Sequence, residues 1–303
     1  MNRIERLLKN LPFHPIRTFC LLASILFSTQ MLRGQPKDSI NHQRLNTVIL
    51  TGGVLYTGAM IGLNSVWYSQ YDKQSFRFFN DWPEWNQMDK LGHVYSSFQL
   101  SSIGSRALQW SGVSKKKSDV AGTITSFAIM SSIEILDGFS SGYGASASDW
   151  AANAVGSGFY LGQNLLWNEV RIYPKYSFHR TEFAKQRSGT LGNGLLEEMI
   201  KDYNGQTIWL SVDVDKFLKF PKWLNIAVGY GAESMIYAND AQNIEQGFYP
   251  YRQLYLSLDF DLTGIKSRSK VVNTLIYFAN MIKLPAPTIE FSRGKPKGYL
   301  FYY

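Results

Sequence analysis

The hydrophobic period of this chain changes once, near residue 172, and the change limits what each half can fold into. Before it, apolar residues come in long uncharged runs, 45–71 and 150–167, compatible with helices and not with half-buried strands. After it, apolar residues alternate. Leu254, Leu256, Leu258, Phe260 and Leu262 fall on one face of 253–262, and Ile208, Leu210, Val212 and Val214 repeat the pattern. Leu224, Ile226, Val228 and Tyr230 do the same, with Ala227, Gly229 and Gly231 opposite. Segments 287–292 and 298–303 are further short strands, 176–183 is a weaker one, and 270–282 has the spacing of an amphipathic helix. The expected class is therefore α+β: a helical region over 45–172, then a β-rich region over 173–303. The latter is an antiparallel sheet of five to six strands with one helix. A closed membrane barrel needs at least about 8 strands, so the expectation is a partly open sheet, packed on the helices or lying on a membrane.

Within the helical region the second helix is expected to open at Pro83, where proline suits a first turn, and to run to about Trp110. The run Lys115, Lys116 and Lys117 reads as a break, with a third helix over 119–137, a loop over 138–144 and a fourth helix to about residue 170. Short links make neighbouring helices antiparallel, which predicts a four-helix up-down bundle. Gly58 and Gly62, and Gly158 and Gly162, have the small-xxx-small spacing of closely packed helices.

Residues 1–17 are basic and 18–32 carry no charge, a stretch too short to span a bilayer and normal for a signal peptide, assigned to 1–35. The only cysteine, Cys20, stands ahead of most of that stretch, so it is badly placed for lipid attachment and excludes an intrachain disulfide. The net charge of +8 owes about half to the leader, and what remains is too diffuse for a nucleic-acid partner. An aromatic content of 15% favours an envelope protein. If the helices crossed an inner membrane after export, the lysine run would lie outside, against the positive-inside rule. The expected location is therefore the outer membrane or its periplasmic face.

Antiparallel helices also sort the polar residues. Asp89, Lys90 and His93 stand at the start of the second helix, Glu134 and Asp137 at the end of the third, and Ser148, Asp149 and Asn153 at the start of the fourth. All three sets fall at one end, and the i,i+4 and i,i+3 spacings put each on one face. Ser146 and Asp149 also have the spacing of a helix cap.

These blocks, Asp89-Lys90-Leu91-Gly92-His93, then Glu134-Ile135-Leu136-Asp137-Gly138, then Ser146 through Gly156, resemble those of the YfiM-like predicted periplasmic lipoproteins. Their order is also similar to that of the VanZ-like membrane proteins: Asp-Lys-x-x-His, an acidic helix, and Ser-x-x-Asp-x-x-x-Asn-x-x-Gly. The resemblance covers roughly 80–165 and implies an envelope protein with a polar cluster at a bundle end. It implies no activity.

The cluster has two readings. In one, Lys90 and His93 neutralise acids that hold three helices together, or the group binds a lipid head group or another envelope component. In the other, His93 is a general base of a hydrolase or transferase acting on a lipid-linked or cell-wall precursor, oriented by Asp89, Glu134 and Asp149. A VanZ-like inner-membrane protein is the third possibility. Nucleophile-elbow, phosphate-loop and zinc-helix motifs are absent from the sequence. Of the four histidines in the chain, His14 and His42 lie outside the expected helices, which argues against a multi-histidine zinc site, so no metal and no cofactor is expected, although a carboxylate-rich site with one histidine retains the chemistry for a divalent ion.

Overall fold

A computed structural model describes residues 40–69 and 71–302; the expected leader and Cys20 lie outside them. The protein is mixed α+β, a helical region followed by a six-stranded antiparallel sheet. Helices α1 (His42–Leu63), α2 (Met88–Trp110), α3 (Lys115–Gly138) and α4 (Ala147–Trp167) make up the first part. Helices α2, α3 and α4 pack on one another, whereas α1 has no buried residue. It touches the others through Tyr56, whose hydroxyl donates to Ser132 Oγ at 3.0 Å, and through Asn41 and Arg44 at the end of α2. The expected four-helix bundle is thus a three-helix core with one helix alongside it. The physical reason lies in the residues of α1, which carry no charge from Leu45 to Leu63 and of which none is buried.

Two details of the helices differ from expectation. The lysine run is the first turn of α3 rather than a break, because Lys115 reaches both Asp119 Oδ2, one turn on, at 2.7 Å and Asn164 Oδ1 of α4 at 2.6 Å. The close approaches are made by Gly122 and Gly156, where a Cβ would collide with the α2 backbone at Ser101 and Ser105 and at Val94 respectively. Gly58 belongs to the uncovered α1, and Gly62, Gly158 and Gly162 face open space.

Helix α2 opens at Met88, not Pro83. Trp85, Asn86 and Gln87 all have left-handed backbones, with φ of 49°, 49° and 65°. Each such residue costs on the order of 1–3 kcal/mol and persists only when its surroundings dictate it. Here the C-terminal half does so: Tyr230 donates its hydroxyl to Asn86 O at 2.6 Å, Trp85 N donates to Ala238 O at 2.9 Å, and Arg252 holds Gln87 Oε1 at 2.9 Å. The turn folds Asp81 back over the first turn of α2.

The sheet is a meander of β1 (Ile172–Phe178), β2 (Gln206–Val212), β3 (Leu224–Glu233), β4 (Tyr251–Phe260), β5 (Ala286–Ser292) and β6 (Lys295–Tyr302), paired in sequence order. Helix α5 (Lys270–Ala279) connects β4 to β5 and is amphipathic. Val214, expected to extend β2, instead begins a 3-10 turn, Val214–Lys216. The expected apolar face of β4 is real, but it points outward: Leu254, Leu256 and Leu258 are 57%, 45% and 40% exposed while Tyr255 and Asp259 beside them are 1% and 0%. The buried face sets polar and charged groups beside an aromatic cluster of Trp209, Tyr255 and Tyr302. Lys175 pairs with Asp259 at 2.6 Å, Ser211 and Asn225 continue the hydrogen-bond chain, and Lys283 Nζ lies 4.6 Å from the Trp209 ring centre. The sheet curls enough for Tyr302 of β6 to reach Thr207 of β2, at 3.3 Å, and Tyr255 of β4, at 2.8 Å. One corner of the outer face, at Ile208 and Tyr230, is covered by Met88, Trp85 and Tyr95.

Candidate functional site

Where α2 and α4 begin and α3 ends, their polar residues meet. Lys90 is buried, and its Nζ lies 2.7 Å from Asp81 Oδ2, 2.9 Å from Asp89 Oδ2 and 2.8 Å from Asp149 Oδ1. One helical turn on, His93 Nδ1 donates to Asn153 Oδ1 at 3.0 Å, an oxygen that also accepts from Ser97 Oγ at 3.0 Å. The Nδ1 proton is thereby committed, and Nε2 points the other way. There it faces Glu134 Oε1 at 3.6 Å, Asp89 Oδ1 at 3.9 Å and Asp149 Oδ2 at 4.0 Å. All three separations exceed a hydrogen bond. Glu134 Oε2 accepts from Ser146 N at 3.3 Å, while buried Oε1 has no hydrogen-bond partner among the described residues.

Ser146 caps α4 by accepting from Asp149 N at 3.0 Å, and its hydroxyl donates to Asp81 Oδ1 at 2.5 Å. Ser148 donates to that same oxygen at 2.8 Å. The spacing of Asp89 with His93 and of Ser146 with Asp149 thus becomes contact because helical geometry aligns those faces. Asp137 stands apart: its carboxylate accepts from Tyr68 at 2.7 Å and touches neither Lys90 nor His93. Of the eight residues singled out from sequence, Asp89, Lys90, His93, Glu134, Asp149 and Asn153 come together, and Ser148 joins through Asp81.

Sequence reasoning missed two members. Asp81 precedes the Trp82-Pro83 pair and was readable as an acid near the block, but no helical spacing ties it to Lys90; the left-handed turn does. Tyr203 comes from the C-terminal half, and its hydroxyl donates to Asp89 Oδ1 at 2.7 Å. Nothing local in the sequence marks it. Trp85 packs at a tilt against Tyr203, ring centres 5.4 Å apart, whereas Trp82 is exposed.

Electrostatics divides the acids. Burial pushes Glu134 up to about 8, partly offset by His93 and reinforced by Asp149. Asp149 is also raised, by burial and by Asp89, against His93 and Lys90. Burial works against Asp89 too, yet His93 and Lys90 hold it below its usual value. At His93 burial disfavours the charged ring, but Asp89, Asp149 and Glu134 outweigh it and raise its pKa. Lys90 is raised for the same reason, by Asp89 and Asp149 against burial.

Residues 78–164 match the model of a family described as predicted periplasmic lipoprotein (DUF2279). The matched span holds every cluster residue except Tyr203, and the family's description carries no activity. It is consistent with the expected cell-envelope location. No curated protein and no solved structure matches the chain.

Proposed function

We propose that this is a non-enzymatic, membrane-associated envelope protein. Its apolar outer face rests in outer-membrane lipid, and its polar cluster both joins three helices and binds a polar head group. The observation that carries this reading is the reversed polarity of the molecule. The sheet turns Leu210, Val228, Leu254, Leu256, Ile289 and Phe291 outward and buries Lys175, Asp259 and Asn225. The helices repeat it, with Ile124, Val155 and Leu166 exposed over buried Ser101, Ser105, Asp119 and Asn153. Water does not favour that arrangement; hydrocarbon outside and hydrogen-bonded polar groups inside does. Helices α1 and α3 are also long and apolar enough to enter a bilayer. The likeness to YfiM-like and VanZ-like sequences belongs to the same reading, since both are envelope proteins.

The test is flotation of the purified chain with phospholipid vesicles. Wild type should float and need detergent for extraction. Leu256→Arg with Leu258→Arg should sediment free of lipid, because a charge facing the bilayer midplane costs about 2–4 kcal/mol. A wild-type chain that stays soluble without detergent and ignores vesicles overturns the reading. A second reading, an envelope hydrolase or transferase, is favoured by Glu134, whose shift to about 8 suits proton transfer near neutral pH beside His93. Its signature is a His93→Ala variant that folds and floats normally but fails to complement a null strain.

A further inference from the structure

The cluster holds more acid than its bases account for, and the oxygens are sorted. Lys90 takes the outer oxygens of two aspartates, Asp89 Oδ2 and Asp149 Oδ1. Their other oxygens, Asp89 Oδ1, which also accepts from the Tyr203 hydroxyl, and Asp149 Oδ2, face His93 Nε2. In the neutral ring that nitrogen bears a lone pair, because the ring proton is bonded to Asn153 through Nδ1. A lone pair opposed by three carboxylate oxygens is repulsive unless something positive sits between them, a proton or a metal ion. Independently, Glu134, whose side chain is 1% exposed, aims an unpartnered Oε1 at the same nitrogen, 3.6 Å away.

The separations from Nε2 are too long for hydrogen bonds and short enough for donors that share one ion. Two donors each about 2.1 Å from one ion stand about 3.0 Å apart when adjacent and about 4.2 Å apart when opposite. The separations from Nε2, 3.6 to 4.0 Å, fall inside that interval. One ligand atom each from Asp89, His93 and Asp149 lies within 4.8 Å of the others. The outer hydrogen bond that a ligating histidine requires is present in Asn153, itself fixed by Ser97.

We propose that Asp89, His93 and Asp149, with Glu134 closing the site from α3, bind one divalent transition-metal ion of the Zn2+ or Mn2+ type. Lys90 is not a ligand; it orients the two aspartates. This departs from the expectation of no metal and deepens the head-group reading of the same site, since a bound ion would present a positive centre to a phosphate. It does not depend on the lipid-facing sheet.

The full chain in detergent, stripped with chelator and desalted, is titrated by calorimetry with Zn2+ alone and with Mn2+ alone, and retained metal is counted by elemental analysis. Wild type should retain close to one equivalent of at least one ion. His93→Ala and Asp149→Asn should each weaken binding at least tenfold, and Glu134→Gln should weaken it less. Substoichiometric retention by wild type overturns the proposal, and so does retention by folded His93→Ala equal to wild type, folding being checked by circular dichroism. The wild-type titration decides the proposal even where a variant fails to fold. Flotation of metal-free wild type separates the two readings: metal binding without flotation removes the membrane proposal only, and flotation without metal binding removes this one only.

Discussion

The two halves of this protein each bury a lysine among polar groups, and they balance the charge in opposite ways. In the sheet, Lys175 has one carboxylate, Asp259 at 2.6 Å, with Lys283 packed nearby on Trp209, so the immediate surroundings of that pair lean toward positive charge, while buried Glu290 is held separately by Gln253 and Tyr299. At the helix ends Lys90 has three carboxylates within 2.9 Å, and Glu134 lies just beyond, so that interior leans toward negative charge. A single buried pair completes a fold and leaves little for a ligand. A surplus of acid held by a network of caps and turns is a standing demand for protons or a cation.

That contrast can be broken most sharply at the carboxylates. Asp259→Asn leaves Lys175 with no counter-charge and should cost about 3–5 kcal/mol, read by denaturant unfolding in detergent. Asp149→Asn should cost distinctly less, since Asp81 and Asp89 still hold Lys90; equal losses would show that the helix-end network is no more redundant than the sheet pair. Next in size is coupling. His93→Ala and Asp149→Ala should each lower the melting temperature by several degrees. The double variant should fall short of their sum by about 0.5–3 kcal/mol, because either change alone strands a buried partner. Additive losses would mean the two side chains act separately.

Of similar size is the link between the halves. Tyr203→Phe removes one hydrogen bond to Asp89 and should cost about 1.5–3 kcal/mol, while raising the Asp89 pKa, observable by carboxyl carbon chemical shifts. A separate effect is in pH. Glu134 holds its proton more firmly folded, at about 8 against 4.5, so its stabilising contribution is complete below 4.5 and is lost as pH rises to 8. Lys283 is the reverse: burial, aided by Lys175 and opposed by Asp259, pushes it down to about 8. The unfolded chain then binds more protons between 8 and 10.5, and stability from this residue rises across that window. Glu134→Gln should flatten the first slope and Lys283→Met the second, in unfolding curves measured at a series of pH values.

Much of this was legible in the residues themselves. Alternation found all six strands, the weak one a few residues late, because the side-chain period of a strand is set by backbone geometry alone. Spacing likewise put Asp89 with His93 and Ser146 with Asp149, since i,i+3 and i,i+4 neighbours share a face in any helix. The direction of a face was not legible. Leu254, Leu256 and Leu258 lie together by local rule, but whether they meet core or lipid depends on what the curl of the sheet encloses. Nor did the small-xxx-small spacing identify contacting glycines: Gly122 and Gly156 pack because Ser101, Ser105 and Val94 of α2 happen to oppose them.

By itself the sequence determined the order of the long helices and the strands, the capping of α4 and the polar stripe on each of three helices, all consequences of interactions within a few residues, but not the short helices Leu195–Lys201 and Asp240–Glu245 between strands. Tertiary structure alone decided the rest. It left α1 outside the three-helix core, because a helix packs only where its surface complements another. It brought Asp81 to Lys90 through three left-handed residues that the C-terminal half holds in place. It also brought Tyr203 to Asp89 across 114 positions of chain, a contact no local pattern encodes because its geometry exists only once both halves have folded.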